Sequence, residues 1–149
     1  MPTARRRPRS FVARLDSCPE SAPLARYLLR AYLFGLPAGE RYSDTAELLL
    51  CELFANAVQH SDAPDDRHIE IRFALFHDRL RLEVHDACAD RPTLRTPAPD
   101  DEHGRGLHLV NQLAERWGCA PRPGGIGKLV WAVIAPAAGT DPDTALVTV

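Results

Sequence analysis

The stretch Ala46 to Val58 is apolar on almost every helical face, and it constrains the fold more than any other segment. Ser43 or Asp44 can cap such a segment and Glu47 suits its first turn, so the pattern predicts a helix running to about His60 and buried on most of its faces. Its few polar side chains therefore need explaining. Glu52 and Asn56 stand four apart and project from one face, with Leu48 a turn before them and Gln59 and His60 beyond. An ionised carboxylate buried without a partner costs on the order of several kcal/mol. Either this stripe emerges at the surface, or Glu52 is hydrogen-bonded inside the core, or something else compensates its charge.

The elements around this helix follow from periodicity and turn signals. Ser10 to Leu15 partly alternates and predicts a strand. From Pro19 to Leu36, Leu24, Tyr27, Leu28, Ala31, Tyr32 and Phe34 recur at helical spacing, with Arg26 and Arg30 on the wet side and Gly35 and Pro37 as the stop. Two alternating runs, His68 to His77 and Leu80 to Asp86, flank Asp78-Arg79 and predict a β-hairpin. Asp90 to Gly104 has no periodicity and is rich in Pro, Asp and Thr, the signature of a long loop such as a lid or binding segment. Gly104-Arg105-Gly106 then opens a helix marked by Leu107, Leu109, Val110, Leu113 and Trp117. The turn Pro121 to Gly125 leads into a strand over Lys128 to Ile134. The order strand, helix, helix, strand, strand, loop, helix, strand, strand predicts an α/β (α+β) two-layer sandwich: a mixed, mostly antiparallel sheet with helices on one face.

At 149 residues, the chain has room for one core. The expected division is a basic disordered tail over 1–9, one domain over 10–135 and a flexible tail over 136–149. No apolar run approaches the roughly 20 residues of a membrane helix, and the Arg-rich start is not followed by a signal-peptide core, so a soluble, cytoplasmic protein without membrane contact is expected. A net charge of -2 gives no global attraction to nucleic acid, and no direct nucleic-acid partner is expected. The one basic cluster, Arg5, Arg6, Arg7 and Arg9, reads as a solvated tail. Cys18, Cys51, Cys88 and Cys119 form no Cys-x-x-Cys pair and the histidines lack metal spacing, so reduced thiols and no structural metal follow.

Three places carry potential chemistry. Glu52 and Asn56 offer a carboxylate and an amide oxygen on one rigid face, a pair able to hold a hydrated Mg²⁺ or orient a nucleophile while phosphates complete the shell. Asp86 ends a strand where the long loop begins; it either caps the turn or serves as a buried acceptor for a ligand donor such as an exocyclic amine. Gly104-Arg105-Gly106-Leu107 joins loop to helix, where backbone N–H groups can face an anion at the positive helix end. Two familiar phosphate motifs are excluded. Leu109 replaces the third glycine of a dinucleotide fingerprint, and at Gly127-Lys128 a P-loop would need glycine at Arg122 and Ser or Thr at Leu129. Lys128 reads instead as the start of a strand whose Leu129, Val130, Trp131 and Val133 pack in the core.

In this order, Glu52-Leu53-Phe54-Ala55-Asn56, Asp86 to Pro92, Gly104 to Val110, Trp117-Gly118 and Gly127 to Trp131 resemble the GHKL superfamily of ATP-binding domains, and within it the anti-sigma-factor serine kinases. The resemblance covers roughly residues 10 to 135. It implies the Bergerat-type ATP-binding fold, with ATP and Mg²⁺ as cofactors. By position, Asn56 would reach the metal, Glu52 would act as catalytic base or orient the attacking hydroxyl, and Asp86 would accept from the adenine amino group. Gly104, Arg105, Gly106 and Leu107 would line the phosphates. It also implies a serine/threonine kinase whose acceptor is a serine on an anti-sigma-factor antagonist, which also silences a sigma factor, and which permits a homodimer through Phe11 to Leu15. The chain departs from the family where Asp86-Ala87-Cys88-Ala89-Asp90 replaces Asp-x-Gly-x-Gly. The rival reading is a nucleotide-responsive binding module without phosphoryl transfer.

Overall fold

A computed structural model describes residues 9–59, 67–86, 105–123 and 127–138. Among these residues the fold has five strands, β1 (Ser10–Asp16), β2 (His68–Phe76), β3 (Arg79–Asp86), β4 (Arg116–Pro121) and β5 (Lys128–Ile134), and three α-helices, α1 (Ala22–Phe34), α2 (Ser43–Gln59) and α3 (Arg105–Leu113). The sheet order is β1-β2-β3-β5-β4. All four ladders are antiparallel, so the parallel component allowed for in the sequence reading does not occur among the described strands. The two-layer arrangement stands: helices cover one face, and the core lies between them and the sheet. At the start of the described chain, the Arg9 guanidinium donates to the Gly35 carbonyl at 2.9 Å, a cation on the negative end of α1. At the other end, Ala137 and Arg41 are joined by two hydrogen bonds of 2.8 Å. Residues 1–8 and 139–149, and the loop Asp90 to Gly104, lie outside the described residues.

The strand faces alternate as the pleat requires. Phe11, Ala13 and Leu15 of β1, Ile69, Ile71 and Phe73 of β2, Leu80, Leu82 and Val84 of β3, and Val130, Ala132 and Ile134 of β5 all join the core. Phe11 stacks on Phe73 with ring centroids 5.5 Å apart, and Tyr32 of α1 closes over both. The odd residues of β5 point to the other face, so Trp131 is a half-buried open-face residue and not a core one. Its strand partner is Gly118, where a Cβ would stand 2.8 Å from the indole ring. The Arg81 guanidinium lies 4.8 Å from the ring centre.

Four boundaries or faces differ from the sequence reading. In α1 the stripe that enters the core is Ala25, Leu29 and Leu33, whereas Leu24, Tyr27 and Phe34 are exposed. Both stripes are apolar at helical spacing, and only packing against α2 and β2 selects between them. The hairpin turn is His77-Asp78, one residue earlier than expected, with His77 in the left-handed region at φ 56°. The third helix ends at Leu113, and Trp117 belongs to β4, because residues 116–121 pair with β5. The indole N–H of Trp117 still returns to α3, donating to Asn111 Oδ1 at 3.1 Å. Finally, α2 is less enclosed than its composition suggests: Ala46, Leu49, Leu50, Leu53, Phe54 and Ala57 are buried, and Leu48 is 43% exposed.

Between α1 and α2 the chain turns through Gly39–Arg41. A Cβ at Gly39 would stand 1.9 Å from the carbonyl oxygen of Leu33, a backbone atom at the end of α1 that no rotamer can move aside. Gly39→Ala is therefore expected to destabilise the fold by about 3 kcal/mol, the upper end for overpacking, read as a lowered urea midpoint with unchanged slope. A change below about 0.5 kcal/mol would show that this turn relaxes freely.

Candidate functional site

Helix α2 packs against α3, β3 and β5, so the three stretches singled out in the sequence belong to neighbouring elements. Glu52 and Asn56 lie one turn apart on α2 and are both half-buried. The stripe thus emerges at the surface, and Glu52 needs no buried counter-charge. Neither side chain makes a hydrogen bond or ion pair with the described residues. Their oxygens are available on a helix that the buried Leu49, Leu50, Leu53 and Phe54 hold rigidly to the core.

Asp86, the last residue of β3, is 2% exposed. Its position in the pleat, two beyond Val84, places it on the helix-covered face. One of its carboxylate oxygens, Oδ2, is buried and accepts no hydrogen bond from the described residues. Directly across the ladder stands Lys128, 4% exposed, at the start of β5. Its closeness to Asp86 was missed in the sequence, where Lys128 reads only as the start of a core strand. The antiparallel register makes it a charged neighbour of the carboxylate. An alternating pattern alone cannot reveal such pairing, since it depends on the alignment of two strands more than forty residues apart.

Arg105 begins α3, and Gly106 and Leu107 follow within its first turn. The first four N–H groups of a helix lack intrahelical acceptors. At this end they are free of that ladder and carry the positive end of the peptide dipoles. Gly104 lies outside the described residues, as do Cys88 and the basic residues Arg5, Arg6 and Arg7. No group of three or more His, Cys, Asp or Glu among the described residues could hold a metal ion. Cys18, Cys51 and Cys119 are free thiols.

The opposite side of β3 is braced by charge. His85, 2% exposed, meets Glu83 Oε2 at 2.9 Å through Nε2, and the Arg122 Nε–H donates to its Nδ1 at 3.4 Å. Arginine only donates, so Nδ1 accepts and the ring proton sits on Nε2, facing Glu83. Burial pushes the Glu83 carboxyl upward, but hydrogen bonds from His85 and Arg81 outweigh it and hold the group below its ordinary range. This network fixes the strand immediately before Asp86 from the face that the helices leave uncovered.

Among the described residues no helix is long and apolar enough to cross a membrane. The sequence matches the histidine kinase-like ATPase domain over residues 15–134. No curated protein matches it. Among solved structures it is similar to the histidine kinase domain of the blue-light activated histidine kinase EL346 from Erythrobacter litoralis, at 19% identity and a TM-score of 0.46, over 82% of this chain and 62% of that one. The chain thus spans less than two thirds of that domain's length. With the family match covering most of the described elements, from the end of β1 to the end of β5, the chain belongs to the histidine kinase-like ATPase domain family.

Proposed function

We propose that this chain binds ATP with Mg²⁺ and transfers the γ-phosphate to a serine of a partner protein, in the manner of the anti-sigma-factor kinases that its motifs resemble. The observation that carries the reading is the buried Asp86 at a strand end, on the sheet face covered by a helix that presents Glu52 and Asn56 unengaged. Asp86 accepts the adenine amino group and thereby selects adenine over purines without that donor. The start of α3, through Arg105, Gly106 and Leu107, with Gly104 before it, supplies backbone donors for the phosphates. Asn56 contributes an amide oxygen to the cation, which when bound offsets phosphate charge. Glu52 orients the acceptor hydroxyl and takes its proton. On this reading the acceptor is an anti-sigma-factor antagonist, a sigma factor is a second partner, and the work is done in the cytoplasm.

One feature of the chain favours a second reading. Cys88 and Asp90 stand where the resemblance has its glycines, which suits a module that binds nucleotide to order a docking face without rapid transfer. Labelled ATP incubated with a candidate antagonist separates the two: a labelled serine supports the kinase, and an ATP-dependent complex without label supports the module.

The adenine contact has its own test. Asp86→Asn places an NH₂ where an acceptor is required, and a mismatched buried polar group costs about 1–3 kcal/mol. The expected result in calorimetry is an ATP affinity lowered about 5- to 150-fold, with the thermal melt of the ligand-free protein confirming that the variant folds. Unchanged affinity in a folded variant would place adenine elsewhere.

A further inference from the structure

Lysine is rarely buried unless it is paired, yet Lys128 is only 4% exposed. Val130, Ala132 and Ile134 of β5 join the core, so the pleat sets Lys128, two residues before Val130, on the same helix-covered face. Asp86 stands directly opposite on β3, on that face too and as deeply buried. Side chains so placed have Cβ atoms about 4.5–5.5 Å apart. Both strands are inner strands of the sheet, so the ammonium and the carboxylate are neighbours away from either sheet edge. The surroundings leave Lys128 to set the local charge. Helix α2, which packs on β3 and β5, has no Lys, Arg or His from Ser43 to Gln59 and carries Asp44, Glu47 and Glu52. Strand β2 brings Ile69, Ile71 and Phe73 to this face. The charges that flank Asp86 along and across the strands, Glu70, Glu83 and His85, with Arg122, belong to the uncovered face, where they pair with one another. On α2, β2, β3 and β5, Lys128 is therefore the only cationic side chain on the helix-covered face among the described residues.

A carboxyl group can read a purine in two ways. Ionised, it only accepts hydrogen bonds and suits the amino group at C6 of adenine. Protonated, it also donates and suits the carbonyl at C6 of a 6-oxopurine. A carboxylate stripped of water and left without a counter-charge is costly, and taking a proton relieves that cost. The ammonium across the ladder removes the need. We infer that Lys128 is the positioning residue that sets the base preference of the nucleotide site: its charge holds Asp86 as an acceptor only, and adenine is selected over 6-oxopurines without Lys128 touching the base. The inference rests on the ATP-binding reading above and adds the residue that governs which base the site takes. A pair that served the fold alone would leave base preference unmoved when it was broken.

The test is calorimetry of the full chain with Mg²⁺ and either ATP or ITP, which differ only in the C6 group and the proton on N1 of the base. Wild type is compared with Lys128→Met, which keeps an apolar stem and drops the charge, and with Lys128→Arg, which keeps the charge. Wild type is expected to prefer ATP by about tenfold or more, Lys128→Met to bring the two nucleotides within about threefold, and Lys128→Arg to retain the preference. An unchanged preference in Lys128→Met, including an equal loss of affinity for both nucleotides, would overturn the inference and leave the ATP-binding reading intact. No saturable binding of either nucleotide by folded wild type would overturn both. Because Lys128→Met leaves the buried Asp86 carboxylate without the Lys128 charge, its urea midpoint is measured beside that of Lys128→Met combined with Asp86→Asn. Removing both charges of a buried pair is tolerated better than removing one, so the double variant is expected to have the higher midpoint. A double variant no more stable than Lys128→Met would assign Lys128 to another partner and overturn the inference, even where the single variant fails to fold.

Discussion

Glu52→Gln is expected to lower phosphoryl transfer to a partner serine by about 10²–10⁴-fold, the range over which a positioned general base contributes, while ATP affinity changes little. The asymmetry follows from the geometry. Glu52 is half-buried, has no partner among the described residues, and stands one turn from Asn56, so the neutral amide leaves no orphaned charge and disturbs no packing. Single-turnover transfer and calorimetry on the same preparation separate the two quantities. Equal transfer by both proteins would remove the base assignment. A parallel fall in ATP affinity would place Glu52 on the nucleotide, in the metal shell, and not on the acceptor.

The second large effect is on the fold that holds the site. Phe54, 1% exposed, lies in α2 between Glu52 and Asn56 and points to the core. Phe54→Ala is expected to cost about 3–5 kcal/mol through lost burial and the cavity left behind, a large part of the roughly 5–15 kcal/mol that stabilises a domain. Denaturant unfolding measures it, and added ATP should recover part of the loss, because a ligand that binds only the folded state stabilises it. A cost below about 1 kcal/mol would mean that α2 is not anchored by this side chain and that the rigidity ascribed to Glu52 and Asn56 has another source.

Much of this architecture is legible in the sequence, and the departures share one physical origin. Local periodicity found α2 and the β2–β3 hairpin because their patterns are set by neighbouring residues. It found α1 but only part of its buried side: Leu28 and Tyr32 pack against the core, whereas Leu24, Tyr27 and Phe34 satisfy helical spacing as well as Ala25, Leu29 and Leu33 do, and only the tertiary neighbours decide. Trp117 fits the helical spacing of Leu113 and Val110, yet a ladder with β5 draws residues 116–121 into the sheet. The hairpin turn lies one residue earlier, with His77 in a left-handed conformation that the alternating pattern does not specify. The candidate site behaves alike. Asp86 could be picked out as a strand end, but its burial and its register partner Lys128 are non-local facts. The carboxylate of Glu52 appeared to need compensation because α2 looks enclosed in sequence, whereas the helix leaves Leu48, Glu52 and Asn56 at least partly open.

On the proposed function, α2, the end of β3 and the start of α3 together form one adenine-nucleotide site. Titration calorimetry of the full chain with ATP, with and without Mg²⁺, tests it most directly. Saturable binding of one ATP per chain is expected, tighter with Mg²⁺ present and much weaker when GTP, which lacks the adenine amino group, replaces ATP. No saturable heat with ATP, or equal affinity for ATP and GTP, would contradict it.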